Sequence, residues 1–174
     1  MENRSIYKFI MLLMGLSFLA YAQNASAKIY NPCQLLTLED IQSVFPGANI
    51  TITLQDDKAA NPLGTRRCFW DANETNMQFV QLSITSDAEA KTMPTIQQFA
   101  NNKEYIQNVQ SVPDIGDAAY YGGSGLKAGS GLHVLVKNKG VLIHIVVGLG
   151  FGNKDEQKHL EIETSIAKKV IEKL

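Results

Sequence analysis

The chain has three histidines, at positions 133, 144 and 159, and two of them are spaced to meet. His133 lies in "LHVLVK" and His144 in "GVLIHIVVGLG", two apolar runs joined by the turn residues Asn138-Lys139-Gly140. Strand alternation puts His133 and Lys137 on one face of the first run, and Leu142, His144 and Val146 on one face of the second. A two-residue turn makes those faces coincide and brings the two rings within reach. Such a pair could serve acid–base chemistry or metal ligation. A zinc site needs a third ligand, and the pattern offers none, so hydrogen-bonded sheet histidines are the default reading. His159 falls in the solvated part of the last helical segment.

The second place for chemistry is "VPDIGDAAYYGGSGLKAGSG", Val112 to Gly131. Asp114 and Asp117 could form a carboxylate pair, but Gly116 between them marks a tight turn, and turn residues explain them better. Ala118 to Tyr121 then starts a strand. Adjacent strand residues point to opposite faces, so one of Tyr120 and Tyr121 is expected in the core and the other exposed. Five glycines in the ten residues from Gly122 to Gly131 describe a flexible connection close to any binding surface. The candidate binding surface is therefore Tyr120, Tyr121, Gly123, Ser124, Lys127, His133 and His144.

Several activities find no support. Neither this loop nor "GLGFGNK" has the P-loop or dinucleotide spacing. No serine sits in a nucleophile elbow, and no acid–base pair stands out. "DANETN" begins like a calcium loop but has neither its sixth-position glycine nor its closing glutamate. No motif asks for a cofactor or a metal. A formal net charge of −1, with no basic block or aromatic-interleaved basic stripe, argues against nucleic acid as a partner.

The elements that must position these residues begin after an export signal. Arg4 and Lys8 precede an apolar run from about Phe9 to Ala22, and small-x-small sites end at Ala22 and Ala27. The reading is a signal peptide over residues 1–27, cleaved after Ala27 or Ala22, with no stable membrane anchor afterwards. A single domain, residues 28–174, remains. Export to the periplasm or the exterior makes the only two cysteines, Cys33 and Cys68, most simply a disulfide.

Within the domain, "LLTLEDIQSVFPG" reads as a helix capped by Thr37 and Asp40, with Leu38, Ile41, Val44 and Phe45 inward. "NITITLQ" reads as a strand with Ile50, Ile52 and Leu54 on one face. "RCFWDA" and "MQFVQLSIT" form a hairpin around Asn73-Glu74-Thr75. A helix spans Ala88 to Gln110 with Ile96, Phe99, Ala100 and Ile106 as core contacts. Three strands and a last helix, Lys154 to Leu174, complete the order α-β-β-β-α-β-β-β-α. Short turns imply antiparallel pairing, and the pattern is an α+β domain, one antiparallel sheet packed by helices.

Three pieces, "NPCQLLTLEDIQSVFPGA", "CFW" and "VPDIGDAAYY", followed by two apolar strands and "IAKKVIEKL", carry a resemblance. The chain resembles small exported bacterial proteins of unknown function, many of them actinobacterial lipoproteins. These share a Cys-x-Leu-Leu-Thr start, a Cys-x-Trp strand and a Gly-Asp-Ala-Ala turn. The resemblance implies a PsbP-like α+β sandwich and a bridge between Cys33 and Cys68. It carries over no catalytic residue, and this chain has no lipobox cysteine. The expected function is an exported, non-catalytic binding or accessory module of the cell envelope. Its partner is an unidentified envelope protein or small ligand. The rival is a small hydrolase or metal-dependent enzyme using His133 and His144.

Overall fold

A computed structural model describes residues 28–174 except 107 and 126. The signal peptide read at residues 1–27 lies outside the described residues. Asn31 caps a first turn of helix, α1 (Pro32–Leu35), by accepting from the Cys33 amide at 3.0 Å. Thr37 and Asp40 form the expected reciprocal cap on α2 (Leu38–Val44). The Asp40 amide donates to Thr37 Oγ1 at 3.1 Å, and the Thr37 amide donates to Asp40 Oδ2 at 2.8 Å. Ile41 and Phe45 point inward, but Leu38, expected in the core, opens the helix on its exposed side.

The strands follow as β1 (Thr51–Gln55), β2 (Thr65–Asn73) and β3 (Gln78–Ser86), then β4 (Gln110–Ser111), β5 (Ala118–Tyr121), β6 (Leu132–Val136) and β7 (Val141–Leu149). They form one seven-stranded sheet in the order β1-β2-β3-β7-β6-β5-β4, with every neighbouring pair antiparallel. The α+β class read from the sequence is therefore what folds. β7 is the central strand, and β6 beside it is buried along its whole length. That is why both read as apolar on two faces. The two-residue β4 escaped the sequence reading because it is too short for any alternation to show.

Helices cover both faces. α3 (Thr95–Tyr105) lies over β6 and β7 on one side, and α4 (Glu156–Glu172) lies over them on the other. The α4 side holds the apolar core, including Trp70, Leu82, Ile84, Ile143, Ile145 and Ile166. α2 sits beside α4, where Lys169 Nζ meets Asp40 Oδ1 at 2.7 Å and Lys173 Nζ donates to the Leu35 carbonyl at 2.8 Å. Burial works to raise the Asp40 carboxyl, but the lysine and the Thr37 donors outweigh it and hold it well below its ordinary value. The disulfide joins α1 to β2, with Cys33 and Cys68 Cα atoms 5.2 Å apart. Among the described residues no helix is long and apolar enough to cross a membrane.

Two expected core faces differ. α3 is shorter than the helix expected over 88–110, and Ile96 and Ala100 on it are exposed. Polar ties hold it instead: Asp87 Oδ1 accepts from the Thr95 amide at 2.6 Å, and Gln98 Nε2 donates to the Leu63 and Met93 carbonyls. Thr95 and Gln98 are accordingly its buried residues. In β1 the register shifts between Ile52 and Leu54, so simple alternation fails and Ile52 is exposed on an edge strand.

Candidate functional site

β5 divides the candidate residues between the two faces of the sheet. Both of its tyrosines are buried, Tyr120 at 0% and Tyr121 at 3% exposure, which corrects the expectation that one would be exposed. Alternation does send them to opposite faces, but each face is covered. Tyr120 lies under α3, with the Phe99 ring 4.8 Å away, and Tyr121 belongs to the apolar core on the α4 side. Burial raises both hydroxyls far above their ordinary value.

On the α3 side the rings continue as a column. Tyr120 stacks on His133 at 4.6 Å, and His133 on His144 at 4.1 Å, the two imidazole planes 17° apart. The sequence spacing led to this meeting, because His133 and His144 are direct cross-strand partners. His144 Nε2 lies 2.7 Å from the Ser130 carbonyl, which fixes Nε2 as the protonated nitrogen in a neutral ring and leaves Nδ1 bare. Burial, and then the neighbouring His144, push the His133 imidazole well below its ordinary value. Burial lowers His144 too, against the Ser130 carbonyl. Both rings are therefore neutral at pH 7. The carbonyls of Gly129 and Ser130 pull His133 the other way. Neither reaches hydrogen-bond geometry, and among the described residues both His133 nitrogens and the Tyr120 hydroxyl have no partner. Above the histidines is a cleft of roughly 340 Å³, walled by Asn102, Tyr105 and Ile106 from the end of α3 and by Ala128 and Gly129 from the β5–β6 loop.

On the α4 side Tyr121 donates its hydroxyl to Glu156 Oε2 at 2.8 Å. Ser124 adds its amide to the same oxygen at 2.7 Å and its hydroxyl to Oε1 at 3.0 Å. Burial works to raise the Glu156 carboxyl, but these donors and the nearby Lys127 outweigh it and hold it below its ordinary value. Ser124 thus ties the start of the glycine-rich segment to α4. At its base the Gly122 amide donates to the Gly131 carbonyl and the Gly131 amide to Gly123, both at 2.9 Å, extending the β5–β6 ladder. The Lys127 amine reaches back over Gly123.

Asp114 and Asp117 are turn residues. Asp117 Oδ2 accepts from the Lys137 amide at 2.7 Å, and Asp114 and Gly116 take φ values of 60° and 59°. A side chain at Gly116 would also place its Cβ 2.6 Å from the Leu135 carbonyl oxygen.

A larger cleft of roughly 450 Å³ opens at the far end of β7, beside the start of α4. Met77, Phe79, Val147 and Phe151 give it apolar walls, and Ser124, Glu156 and His159 supply polar groups. Phe151, on the turn between Gly150 and Gly152, is 82% exposed. The Phe79 ring occupies the space a side chain at Gly148 would need. His159 is only 2% exposed, not solvated as the sequence suggested, and its Nδ1 lies 2.8 Å from the Asp155 carbonyl. With Glu163, Ile166 and Val170 it forms the buried stripe of α4. Glu163 accepts from the Val147 amide at 2.9 Å through Oε1, while Oε2 has no partner among the described residues. Burial pushes its carboxyl up to about 8, so it is mostly protonated at pH 7.

Sequence reasoning missed Glu156, Glu163 and Phe151. Glu163 had a signal: it precedes Ile166 by three and Val170 by seven residues, which places it on the apolar stripe. Phe151 had a weaker one, a lone aromatic flanked by glycines. Among the described residues no three His, Cys, Asp or Glu side chains gather as metal ligands. No protein family, curated protein or solved structure matches this chain.

Proposed function

We infer that this protein is an exported, non-catalytic binding or accessory module of the cell envelope, periplasmic or secreted. The observation that carries the reading is the cleft at the end of β7. It combines aromatic walls, an exposed Phe151 at its rim and a pinned, ionised Glu156 at its polar end. Concave, mostly apolar surface with a few fixed polar groups is what a small ligand or an inserted partner side chain requires. The disulfide fits an oxidising compartment. The resemblance to small exported bacterial proteins supports the same reading.

The rival reading, a hydrolase or metal enzyme built on His133 and His144, finds less support. The rings stack face to face, so their in-plane lone pairs run side by side and do not converge on one ion. Among the described residues, the cleft over them is lined by no carboxylate and no hydroxyl nucleophile other than the rim Tyr105.

The test is capture from the native envelope fraction with the wild-type protein and with Phe151→Ala. A species held by the wild type and lost by a folded Phe151→Ala supports the module. Equal capture by both, or a hydrolytic activity that disappears in His133→Ala, overturns it.

A further inference from the structure

The cleft over His133 is separate from the cleft at the end of β7, and its floor is unusual. His133 is sandwiched at 4.6 Å by Tyr120 and at 4.1 Å by His144, so both ring faces are covered and only the ring edge remains for recognition. That edge carries two nitrogens, neither with a hydrogen-bond partner among the described residues, in a residue 95% buried. Buried polar atoms are nearly always paired, so a ring with neither nitrogen satisfied needs a reason. Folding alone would be served better by a phenyl ring here, which stacks as well and carries no polar atom to desolvate.

The surroundings narrow the partner. Asn102, Tyr105, Ile106, Ala128 and Gly129 line the cleft with the two histidines, and none of these carries a full charge. An anion finds no cation there and a cation no carboxylate. A shared metal ion is disfavoured by the parallel rings. What remains is a neutral molecule that hydrogen-bonds. Ile106 supplies an apolar wall, and Tyr105, 86% exposed at the rim, offers a flat ring for stacking. A volume of roughly 340 Å³ suits a small ligand.

We propose that this cleft is a second ligand site, for a small neutral aromatic alcohol of the phenol type, whose hydroxyl donates to the bare ring nitrogen of His133. Ile106 is the gate. Its side chain lies directly on the Gly129 backbone, filling the space a side chain there would take. The His133 nitrogens are buried beneath the cleft floor, so the ligand reaches them as the lining side chains shift. The site stands on observations independent of the β7 cleft and survives if that reading fails.

The experiment follows the ¹⁵N resonances of the histidine rings while phenol is added, with benzoate as the charged isostere. Phenol should shift a His133 nitrogen saturably, and benzoate should bind about tenfold more weakly or not at all. His133→Phe keeps the ring column and removes the acceptor, so it should weaken phenol by about tenfold, the loss of one hydrogen bond. Ile106→Trp fills the cleft with His133 intact and should abolish the shift, which keeps the test decisive if His133→Phe does not fold. The proposal is overturned if phenol leaves the His133 nitrogens unmoved, or if benzoate binds equally. It also fails if both variants bind phenol like the wild type, or if the nitrogens report only a buried water.

Discussion

The hydroxyl of Tyr121 donates to Glu156 Oε2 at 2.8 Å, joining β5 to the first turn of α4 across 35 residues of sequence. Its neighbour Tyr120 points to the opposite face and has a hydroxyl with no partner among the described residues. One dipeptide thus places a satisfied phenol beside the β7 cleft and an unsatisfied one beneath the histidine cleft. The first of these ties fixes the loop that borders the larger cleft, because Ser124 shares the same carboxylate.

That contrast gives the first prediction. Tyr121→Phe removes a hydrogen bond to a charged acceptor and should cost about 1 kcal/mol, less than a fully buried bond because Glu156 is exposed. It should also let the Glu156 carboxyl rise toward its ordinary value. Tyr120→Phe removes an unpartnered hydroxyl and should leave stability unchanged or higher. Truncation to alanine should cost about 3 kcal/mol or more at either position, since both rings are buried. Urea unfolding of the four variants checks all of this, and equal losses for the two phenylalanine variants would contradict it.

Stability should peak near about pH 6.5. Folded, His133 and His144 titrate below their ordinary value of 6.5, so the unfolded chain takes up protons that the folded one refuses. Their contribution is present above about pH 6.5 and declines on acidification, by up to roughly 1.4 kcal/mol per pH unit for each ring. Glu163 runs the other way. Its folded value, about 8, lies above its ordinary 4.5, so its contribution is full below 4.5 and is lost as pH rises through 8. His133→Phe should flatten the acid limb and Glu163→Gln the alkaline one. Urea unfolding between pH 5 and 8 that shows a steady rise would contradict the assignment.

The protein, denatured without reductant, should show no free thiol. The Cys33–Cys68 bridge closes a loop of about 36 residues, and the double serine variant should lose roughly 3–4 kcal/mol on chain-entropy grounds. Two free thiols in that assay would end the claim.

Gly148→Ala should be costly although the residue is small and near the end of a strand. Its Cβ would collide with the Phe79 ring and sit 2.5 Å from the Met77 carbonyl oxygen. About 1–3 kcal/mol of destabilisation is expected from overpacking. Pairing it with Phe79→Leu should recover part of the loss, and an additive double variant would show that the two sites do not touch.

The parts legible in the sequence were those governed by local chemistry. The Thr37–Asp40 cap, the Asn73-Glu74-Thr75 and Asn138-Lys139-Gly140 turns and the burial of Val80, Leu82 and Ile84 all follow from short-range rules. The meeting of His133 and His144 was legible for the same reason, since one hairpin sets their register. Tertiary cover was not. Nothing local says that α3 lies over Tyr120, so its exposure could not be judged from alternation. His159 looks like a solvent residue until α4 is laid on β7. The Tyr121–Glu156 contact joins segments with no shared pattern, and only the packed domain reveals it.

The central claim, that the β7 cleft is a binding surface, is tested most directly by chemical-shift mapping of the ¹⁵N-labelled domain titrated with a native envelope extract. The account predicts saturable shifts clustered on Ser124, Gly148, Phe151 and Glu156, absent in a folded Phe151→Ala variant. Shifts spread without a cluster, or a cluster that persists unchanged in Phe151→Ala, would contradict it.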